Sequence, residues 1–326
     1  MAQAAADTSP GGVAGESGSP SASAVAAASC YRGRFAPSPS GPLHFGSLVA
    51  ALGSYLDARA AGGEWLLRIE DVDAPRSVPG ATESILRTLD AFGFQWDGEV
   101  LVQSRRLDRY HAALVRLQLD GEVYPCACSR REIADSVVAA SVDGGHVYPG
   151  TCRAGLADGR AARSWRMRTP DASIGFVDRV QGAQAQNLER ELGDFILFRA
   201  DGQFAYQLAV VVDDADQGVN AVVRGADLLA STPRQIWLQQ RLGVPTPTYA
   251  HLPVATNAAG QKLSKQTLAA AVDPVRGVAA LVEVLAFLGQ EIPQGLAQAS
   301  LADFWSWAIA HWSMARVPSR QAQVLV

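Results

Sequence analysis

Four short clusters in the 326-residue sequence carry residue types that could do chemistry. The first spans 34–47, Arg-Phe-Ala-Pro-Ser-Pro-Ser-Gly-Pro-Leu-His-Phe-Gly-Ser. Pro37, Pro39, Gly41 and Pro42 forbid regular structure across its middle. From Phe45 onward Leu48, Leu52 and Tyr55 recur at helical spacing. Gly46 would let a ligand approach the backbone where that helix begins, and free N–H groups and the helix dipole there favour phosphate. His44 stands at the same point and could donate to a phosphate oxygen. The second cluster is Glu70-Asp71-Val72-Asp73, followed by Pro75 and Arg76, and its carboxylates would suit a ligand amino group. The third is Cys126 and Cys128 with Cys152. Two thiols two apart can clamp one tetrahedral ion, a third arrives after a polar loop, and Tyr148 or His146 could fill the fourth position. A catalytic zinc is not indicated, because no glutamate or histidine stands in a zincin-type arrangement. The fourth is Gly260-Gln-Lys262-Leu-Ser-Lys265-Gln266, whose two lysines three apart describe a mobile loop able to clamp polyphosphate. Each cluster has a plainer reading: a proline-rich connection, a solvated charged loop, reduced core cysteines, an exposed basic turn.

The elements that would position these groups follow an α/β pattern. Residues 31–35 and 64–69 read as strands joined by the helix that starts near Phe45. In a parallel sheet the loops at strand C-termini line the ligand crevice, which brings Glu70 close to the His44 loop. Residues 82–92 and 105–120 read as helices, with Gly121 as a stop. Short β-like runs at 164–168 and 174–178 belong to an inserted lobe. Strand character returns at 195–199 and 204–206, and an apolar run continues through 206–214 to Asp213 and Asp214. Residues 222–227 read as a strand ending in a charged turn. Ser231 is expected to cap a helix through Leu242, with Pro233 in its first turn. Residues 276–288 and 301–314 read as amphipathic helices, the second with Leu301, Phe304, Trp305, Ile309 and Trp312 on one face as core.

Composition narrows the classes. Hydrophobic residues make up 48% of the chain, enough for sizeable cores. A net charge of −4 and a pI near 5.8 exclude a strongly basic nucleic-acid binder, though not a local basic face. No apolar run reaches the length of a membrane span. Four cysteines are too few for a disulfide scaffold, and metal binding in a reducing cytosol is the better reading, with Cys30 an unligated thiol. Residues 1–29 are Ala, Ser, Gly and Pro with almost no large apolar side chain and read as a disordered tail. They lack the basic start and apolar core of a signal peptide.

His44-Phe-Gly-Ser47 resembles the signature of class I aminoacyl-tRNA synthetases, and Lys262-Leu-Ser-Lys-Gln266 resembles their second signature. Both occur in the correct order with an α/β pattern between them. Residues 34–41 and 68–73 narrow the resemblance to the glutamate-handling branch. Cys126, Cys128, Tyr148 and Cys152, with the early end of the chain, are similar to the glutamyl-queuosine tRNA(Asp) synthetase family, shortened paralogues of glutamyl-tRNA synthetase. The resemblance implies a Rossmann-like parallel-sheet catalytic domain with a zinc-containing insertion and a short C-terminal helical segment. Its parts would be a tail at 1–29, catalytic halves at 30–120 and 194–270, a zinc-binding acceptor lobe at 121–193, and C-terminal helices at 271–326 without an anticodon-binding domain. It implies tRNA-independent activation of L-glutamate with ATP, then transfer to the queuosine base at the wobble position of tRNA(Asp). It further implies a cytoplasmic enzyme with structural Zn²⁺, Mg²⁺ with ATP, and neither membrane nor stable protein partner. Residue by residue, Arg34, Phe35, Ala36, Pro37 and Ser38 match one wall of a glutamate pocket, Glu70 the group for the substrate ammonium, and Tyr206 and Arg224 the remaining glutamate contacts. A guanidinium can hold a carboxylate through two parallel hydrogen bonds, which suits Arg224. His44, Gly46, Ser47 and Lys265 match the ATP site, with His44, Lys262 and Lys265 supplying transition-state charge. Cys126, Cys128, Tyr148 and Cys152 match the zinc ligands, which favours Tyr148 over His146. Ser47 departs from the final histidine of the first signature, and Gln266 from the last serine of the second. Two rival readings are an ordinary glutamyl-tRNA synthetase charging a tRNA 3′ end and a non-catalytic tRNA-binding paralogue.

Overall fold

In a computed structural model, residues 30–135, 146–263 and 270–325 are described. The tail expected at 1–29, and Ser264, Lys265 and Gln266 of the lysine loop, lie outside the described residues. The first third runs β1 (Arg32–Phe35), α1 (Phe45–Ala60), β2 (Glu64–Ile69), α2 (Ala81–Ala91), β3 (Leu101–Val102) and α3 (Leu107–Leu119). Then come β4 (Val123–Cys126), α4 (Arg130–Asp135), β5 (Ser164–Met167), β6 (Ser173–Asp178), β7 (Gly182–Asn187), α5 (Leu188–Glu191) and β8 (Ile196–Phe198). The last part is α6 (Tyr206–Asp216), β9 (Ala221–Gly225), α7 (Thr232–Leu242), β10 (Thr248–Leu252), β11 (Val254–Thr256), α8 (Gly277–Phe287), α9 (Leu301–His311) and β12 (Ala322–Val324).

The α/β parallel architecture is observed. Strands β1, β2 and β3 pair in parallel. Strands β9, β10 and β6 also pair in parallel, and β7 adds to β6 as an antiparallel hairpin arm. The two groups meet where β1 runs beside β9. There the Asn220 N–H donates to the Arg32 carbonyl at 3.1 Å, and the Arg32 N–H to Asn220 Oδ1 at 2.8 Å. The C-terminal ends of β1, β2, β9 and β10 therefore open toward one side, as parallel strands require. A small antiparallel sheet, β4-β5-β8, carries Cys126 at the end of its edge strand β4.

Helix α1 covers the junction because its apolar residues face inward at helical spacing. Leu48, Leu52 and Leu56 are fully buried. A Cβ at Gly53 would lie 2.5 Å from Leu252 Cδ1, so glycine there lets the helix sit directly on β10. Trp65, Leu67 and Ile69 of β2 fill the same core, together with Leu281 and Leu285 of α8 and Phe304 of α9. Of the expected face at 301–314, Phe304 is fully buried, while Leu301, Trp305, Ile309 and Trp312 pack partly buried against that core.

Four expectations change. The run at 174–178 is expected in the inserted lobe, but its strand β6 joins the parallel sheet beside β10, paired at Asp178 and Tyr249. Strand character is expected at 204–206, but Tyr206 begins helix α6, and only Phe204 bridges Phe198. Leu208, Ala209, Val210 and Val211 are all buried, so the run has apolar residues all round and shows no helical period. Ser231 occupies the N-cap of α7 without capping it: its backbone is already helical, and its hydroxyl accepts from Gln207 at 3.3 Å and Arg234 at 3.2 Å. The last helix ends at His311, and 314–316 form a separate 3-10 turn. Gly121 does terminate α3, at a φ of 72°.

Candidate active site

A cavity of about 600 Å³ opens at the C-terminal ends of β1 and β9. Arg34, Phe35, Ala36, Pro37, Ser38, His44, Gly46, Ser47, Glu70, Tyr206, Arg224 and Lys262 all line it. The structure thus brings together every site residue expected outside the cysteine cluster, apart from Lys265, which lies outside the described residues. The loop after β1 is stitched to the end of β2 by the Glu70 N–H, which donates to the Pro37 carbonyl at 3.0 Å. That bond places the carboxylate beside the loop.

At one end of the cavity, His44 is the N-cap of α1. Its Nδ1 accepts from the Ser47 N–H at 3.3 Å, which takes one of the helix-terminal donors. The bond places the neutral ring's proton on Nε2, the nitrogen able to donate to an anion. A Cβ at Gly46 would come within 3.2 Å of the imidazole, so glycine lets His44 fold back over the helix start. Lys262 is held opposite, bridged to Thr256 of β11, with Nζ 2.6 Å from Asp227 Oδ2. A histidine donor, a helix start and an ammonium facing one space form a site for phosphate.

At the other end lies a buried charge cluster. Arg68, with no exposed surface, sits 2.8 Å from Asp214 and 3.2 Å from Glu70. Arg34 makes a two-pronged contact with Asp214, Nε to Oδ1 at 3.1 Å and Nη2 to Oδ2 at 3.4 Å. Burial raises the pKa of Glu70, and the neighbouring Arg68 and Arg34 only partly oppose it. Asp214 moves the other way: burial would raise its pKa, but Arg34 and Arg68 together hold it below the usual range. Burial pushes the Tyr206 phenol up to about 12, so it stays a hydroxyl. Among the described residues, Arg34, Arg68 and Arg224 set three guanidiniums against the carboxylates of Glu70 and Asp214. A lining that carries both signs of charge suits a zwitterionic ligand such as an amino acid.

Arg224 is anchored rather than free-swinging. Its Nε donates to His251 Nε2 at 3.0 Å and its Nη2 to Thr232 Oγ1 at 2.8 Å. Its Nη1 is buried and has no hydrogen-bond partner among the described residues. A buried unpaired donor is costly, and a ligand carboxylate would relieve it. Nε is engaged with His251 and Nη2 with Thr232 and, at 3.4 Å, the Leu228 carbonyl, which leaves the two N–H groups of Nη1 for a carboxylate.

Away from the cavity, the Cys126, Cys128 and Cys152 sulfurs lie within 4.8 Å of one another, and Cys128 and Cys152 are 3.6 Å apart. A tetrahedral ion with ~2.3 Å bonds to sulfur needs ligands ~3.8 Å apart, so the spacing suits a metal. The Tyr148 hydroxyl is 3.4 Å from Cys126 Sγ and 3.6 Å from Cys128 Sγ, and it accepts from the Cys152 N–H at 3.0 Å. His146 is exposed and outside the cluster, as is Cys30. Arg166 lies over the Tyr148 ring and donates to Cys126 Sγ at 3.3 Å. Burial alone would raise the Cys126 thiol, but hydrogen bonds from Tyr148 and Arg166 bring it to about 7.

The sequence gives no direct signal for Asp214, Arg68, Asp227 and His251, the groups that hold the cavity's side chains in place. In sequence Asp214 is only the end of an apolar run, where two acids close a stretch with no polar residue between 208 and 212.

A family model described as tRNA synthetases class I (E and Q), catalytic domain, matches residues 31–288. The chain is 65% identical over 296 residues to a glutamyl-Q tRNA(Asp) synthetase from Dechloromonas aromatica, covering 91% of this chain and 98% of that protein. It is 61% identical over 297 residues to the protein of that name from Aromatoleum aromaticum, covering 91% and 93%. Among solved structures it is similar to the glutamate-tRNA synthetase of Elizabethkingia anophelis, with a TM-score of 0.73 and 26% identity, over 90% of this chain and 68% of that one.

Proposed function

The chain belongs to the class I tRNA synthetases (E and Q), and on that premise we propose that it activates L-glutamate with ATP and passes the glutamyl group to the queuosine base at the wobble position of tRNA(Asp). The observation that carries the reading is the single cavity that joins a phosphate end, His44 and Lys262, to an amino-acid end, Glu70, Tyr206 and Arg224. The names of the relatives supply the acceptor.

In the first step a glutamate carboxylate oxygen attacks the α-phosphorus of ATP. The bond to pyrophosphate breaks, and glutamyl-adenylate forms. Glu70 takes the ammonium, Arg224 Nη1 takes a carboxylate, and the Arg34 to Ser38 wall and the Tyr206 hydroxyl complete the fit. His44 Nε2–H and Lys262 face the phosphate oxygens as charge builds on them, so the acceleration comes from positioning and electrostatics. Lys265 takes the same role by its match to the second signature, and Lys265→Ala should slow adenylate formation by ~100-fold or more. Mg²⁺ accompanying ATP would supply further charge on the phosphates. In the second step a hydroxyl of the queuosine cyclopentene ring attacks the acyl carbon and AMP leaves. Zn²⁺ held by Cys126, Cys128, Tyr148 and Cys152 would tie the ends of the cysteine lobe together. The proposed tRNA acceptor places the reaction in the cytoplasm. No helix among the described residues is long and apolar enough to cross a membrane.

The test is glutamate-dependent pyrophosphate exchange without tRNA, followed by labelling of tRNA(Asp) with radioactive glutamate. Exchange without tRNA, and labelling only of tRNA that carries queuosine, is expected. Equal labelling of tRNA(Asp) with and without queuosine, or charging of the 3′ end of tRNA(Glu), would refute the reading. So would tRNA binding without any exchange.

A further inference from the structure

Three adjacent strands carry a row of buried polar residues behind the cavity. Asp178 closes β6, His251 lies on β10 directly opposite Arg224, and Arg224 lies on β9. Asp178 is 2% exposed, His251 fully buried and Arg224 5% exposed. Neither Asp178 nor His251 lines the cavity.

The bonds in this row have a direction. Asp178 Oδ1 accepts from three backbone N–H groups, those of His251 at 3.1 Å, Val180 at 3.0 Å and Gln181 at 2.8 Å. Its Oδ2 lies 2.6 Å from His251 Nδ1. A carboxylate has no proton to give, so Nδ1 must carry the ring proton. Nε2 is then left as an acceptor, and it takes the Arg224 Nε–H at 3.0 Å, with the Thr232 hydroxyl 3.2 Å away. Burial keeps the imidazole neutral by pulling its pKa down to about 4, with Arg224 adding to that pull and Asp178 opposing it. A protonated ring would set two cations against each other. With Nε held by His251 and Nη2 by Thr232, the plane of the guanidinium is fixed and Nη1 is aimed.

We propose that His251 and Asp178 are positioning residues for glutamate recognition: Asp178 selects the Nδ1–H tautomer of His251, and that tautomer orients Arg224 for the substrate carboxylate. The inference rests on the reading that Arg224 holds a carboxylate of glutamate. It also identifies a substitution that reverses the row without emptying it. In Asp178→Asn the side-chain oxygen must stay with the three backbone donors, which puts the amide NH₂ against His251 Nδ1. The ring proton moves to Nε2 and faces the Arg224 Nε–H, donor against donor, while His251 competes with Arg224 Nη2 for Thr232 Oγ1, 3.2 Å from the ring nitrogen.

The experiment combines ring ¹⁵N spectra of ¹⁵N-histidine protein at pH 7 with glutamate and ATP KM values from pyrophosphate exchange. The five histidines keep the spectrum assignable. The wild type should show a neutral, Nδ1-protonated His251, and Asp178→Asn an Nε2-protonated one. Glutamate KM should rise by about 10- to 100-fold while ATP KM stays within about twofold, since only the contact to the amino acid is disturbed. An Nε2-protonated or doubly protonated His251 in the wild type would overturn the proposal, and that spectrum decides even if the variant fails to fold. Equal rises in both KM values would overturn it as well, by showing a general loss of structure. A wild type without glutamate-dependent exchange would mark failure of the functional reading. Exchange with a glutamate KM indifferent to Asp178→Asn would mark failure of this one.

Discussion

Replacing Asp214 with asparagine should cost about 3 kcal/mol of stability, at the lower end of the ~3–5 kcal/mol lost when one member of a buried ion pair is removed. The figure follows from the partners. Arg68 and Arg34 both rest on this carboxylate, at 2.8 and 3.1 Å, and neither guanidinium is more than 4% exposed. At an effective dielectric of about 20, unit charges ~4 Å apart attract by about 4 kcal/mol before desolvation is counted. With the carboxylate in place, that attraction offsets the cost of burying the ions. Without it, two cations remain in a site with little water. Glu70 still lies 3.2 Å from Arg68 and relieves part of the imbalance, hence the lower end. At roughly 2–4 °C per kcal/mol, Tm should fall by about 6–12 °C. Chemical denaturation of Asp214→Asn at pH 7 checks this, with Asp216→Asn as control. Asp216 lies on the same helix but pairs with Arg106 at 39% exposure, so its loss should cost under ~1 kcal/mol. The pH dependence adds a sign. The folded pKa of Asp214 is depressed, so its contribution is present above the ordinary value of 3.8 and lost as pH falls through the folded value. The gap between variant and wild type should therefore close only below pH ~4. A loss below ~1 kcal/mol at pH 7, or a gap that persists unchanged into acid, would refute the argument.

Three further outcomes are expected. Because Glu70 titrates above its ordinary 4.5, protonation competes with the substrate ammonium, and glutamate KM should climb as pH falls toward that raised value. Glu70→Gln should remove that acid limb, and a wild-type profile that stays flat down to the ordinary 4.5 would contradict the assignment. Lys262→Ala should change stability by under ~1 kcal/mol, since its pair with Asp227 is 46% and 38% exposed, yet slow pyrophosphate exchange by ~10-fold or more. Parallel losses in both would place Lys262 in the structure rather than at the phosphates. Metal analysis after dialysis against zinc should give about one ion per chain for the wild type and a clear deficit for Cys126→Ser, because three thiolates are the minimum set present. A wild type that retains no zinc would remove the metal from the cysteine lobe.

What could be read in advance was what depends on neighbours in sequence. The His44 and Gly46 turn, Glu70 at the end of its strand and the paired cysteines announce themselves within a few residues. The groups that hold them in place do not. Arg68 reads as one charge in a strand, yet it has no exposed surface, because its partner Asp214 arrives from a different helix. His251 precedes Leu252, Pro253 and Val254 in sequence and carries no signal of its own there. Its role depends on a strand pairing that sets it against Arg224, and on an aspartate 73 residues away. Helix α6 was hidden for a related reason: buried on nearly every side, it offers no polar face from which to count a period. At Ser231 the residue type was right for a cap, but nearby glutamine and arginine side chains claimed the hydroxyl.

The contact between Arg34 and Asp214 joins residues 180 positions apart. Loops of that span close at an entropic cost that grows slowly with length but must be met before the contact gives anything back. The amino-acid end of the cavity is thus a product of the two halves meeting, and neither half can hold glutamate alone. Glutamate should act as a cross-link on the whole molecule. At a free concentration one hundred times its dissociation constant it would add about 2.7 kcal/mol to global unfolding. Amide exchange in β1 and in α6 should then slow together on adding the amino acid.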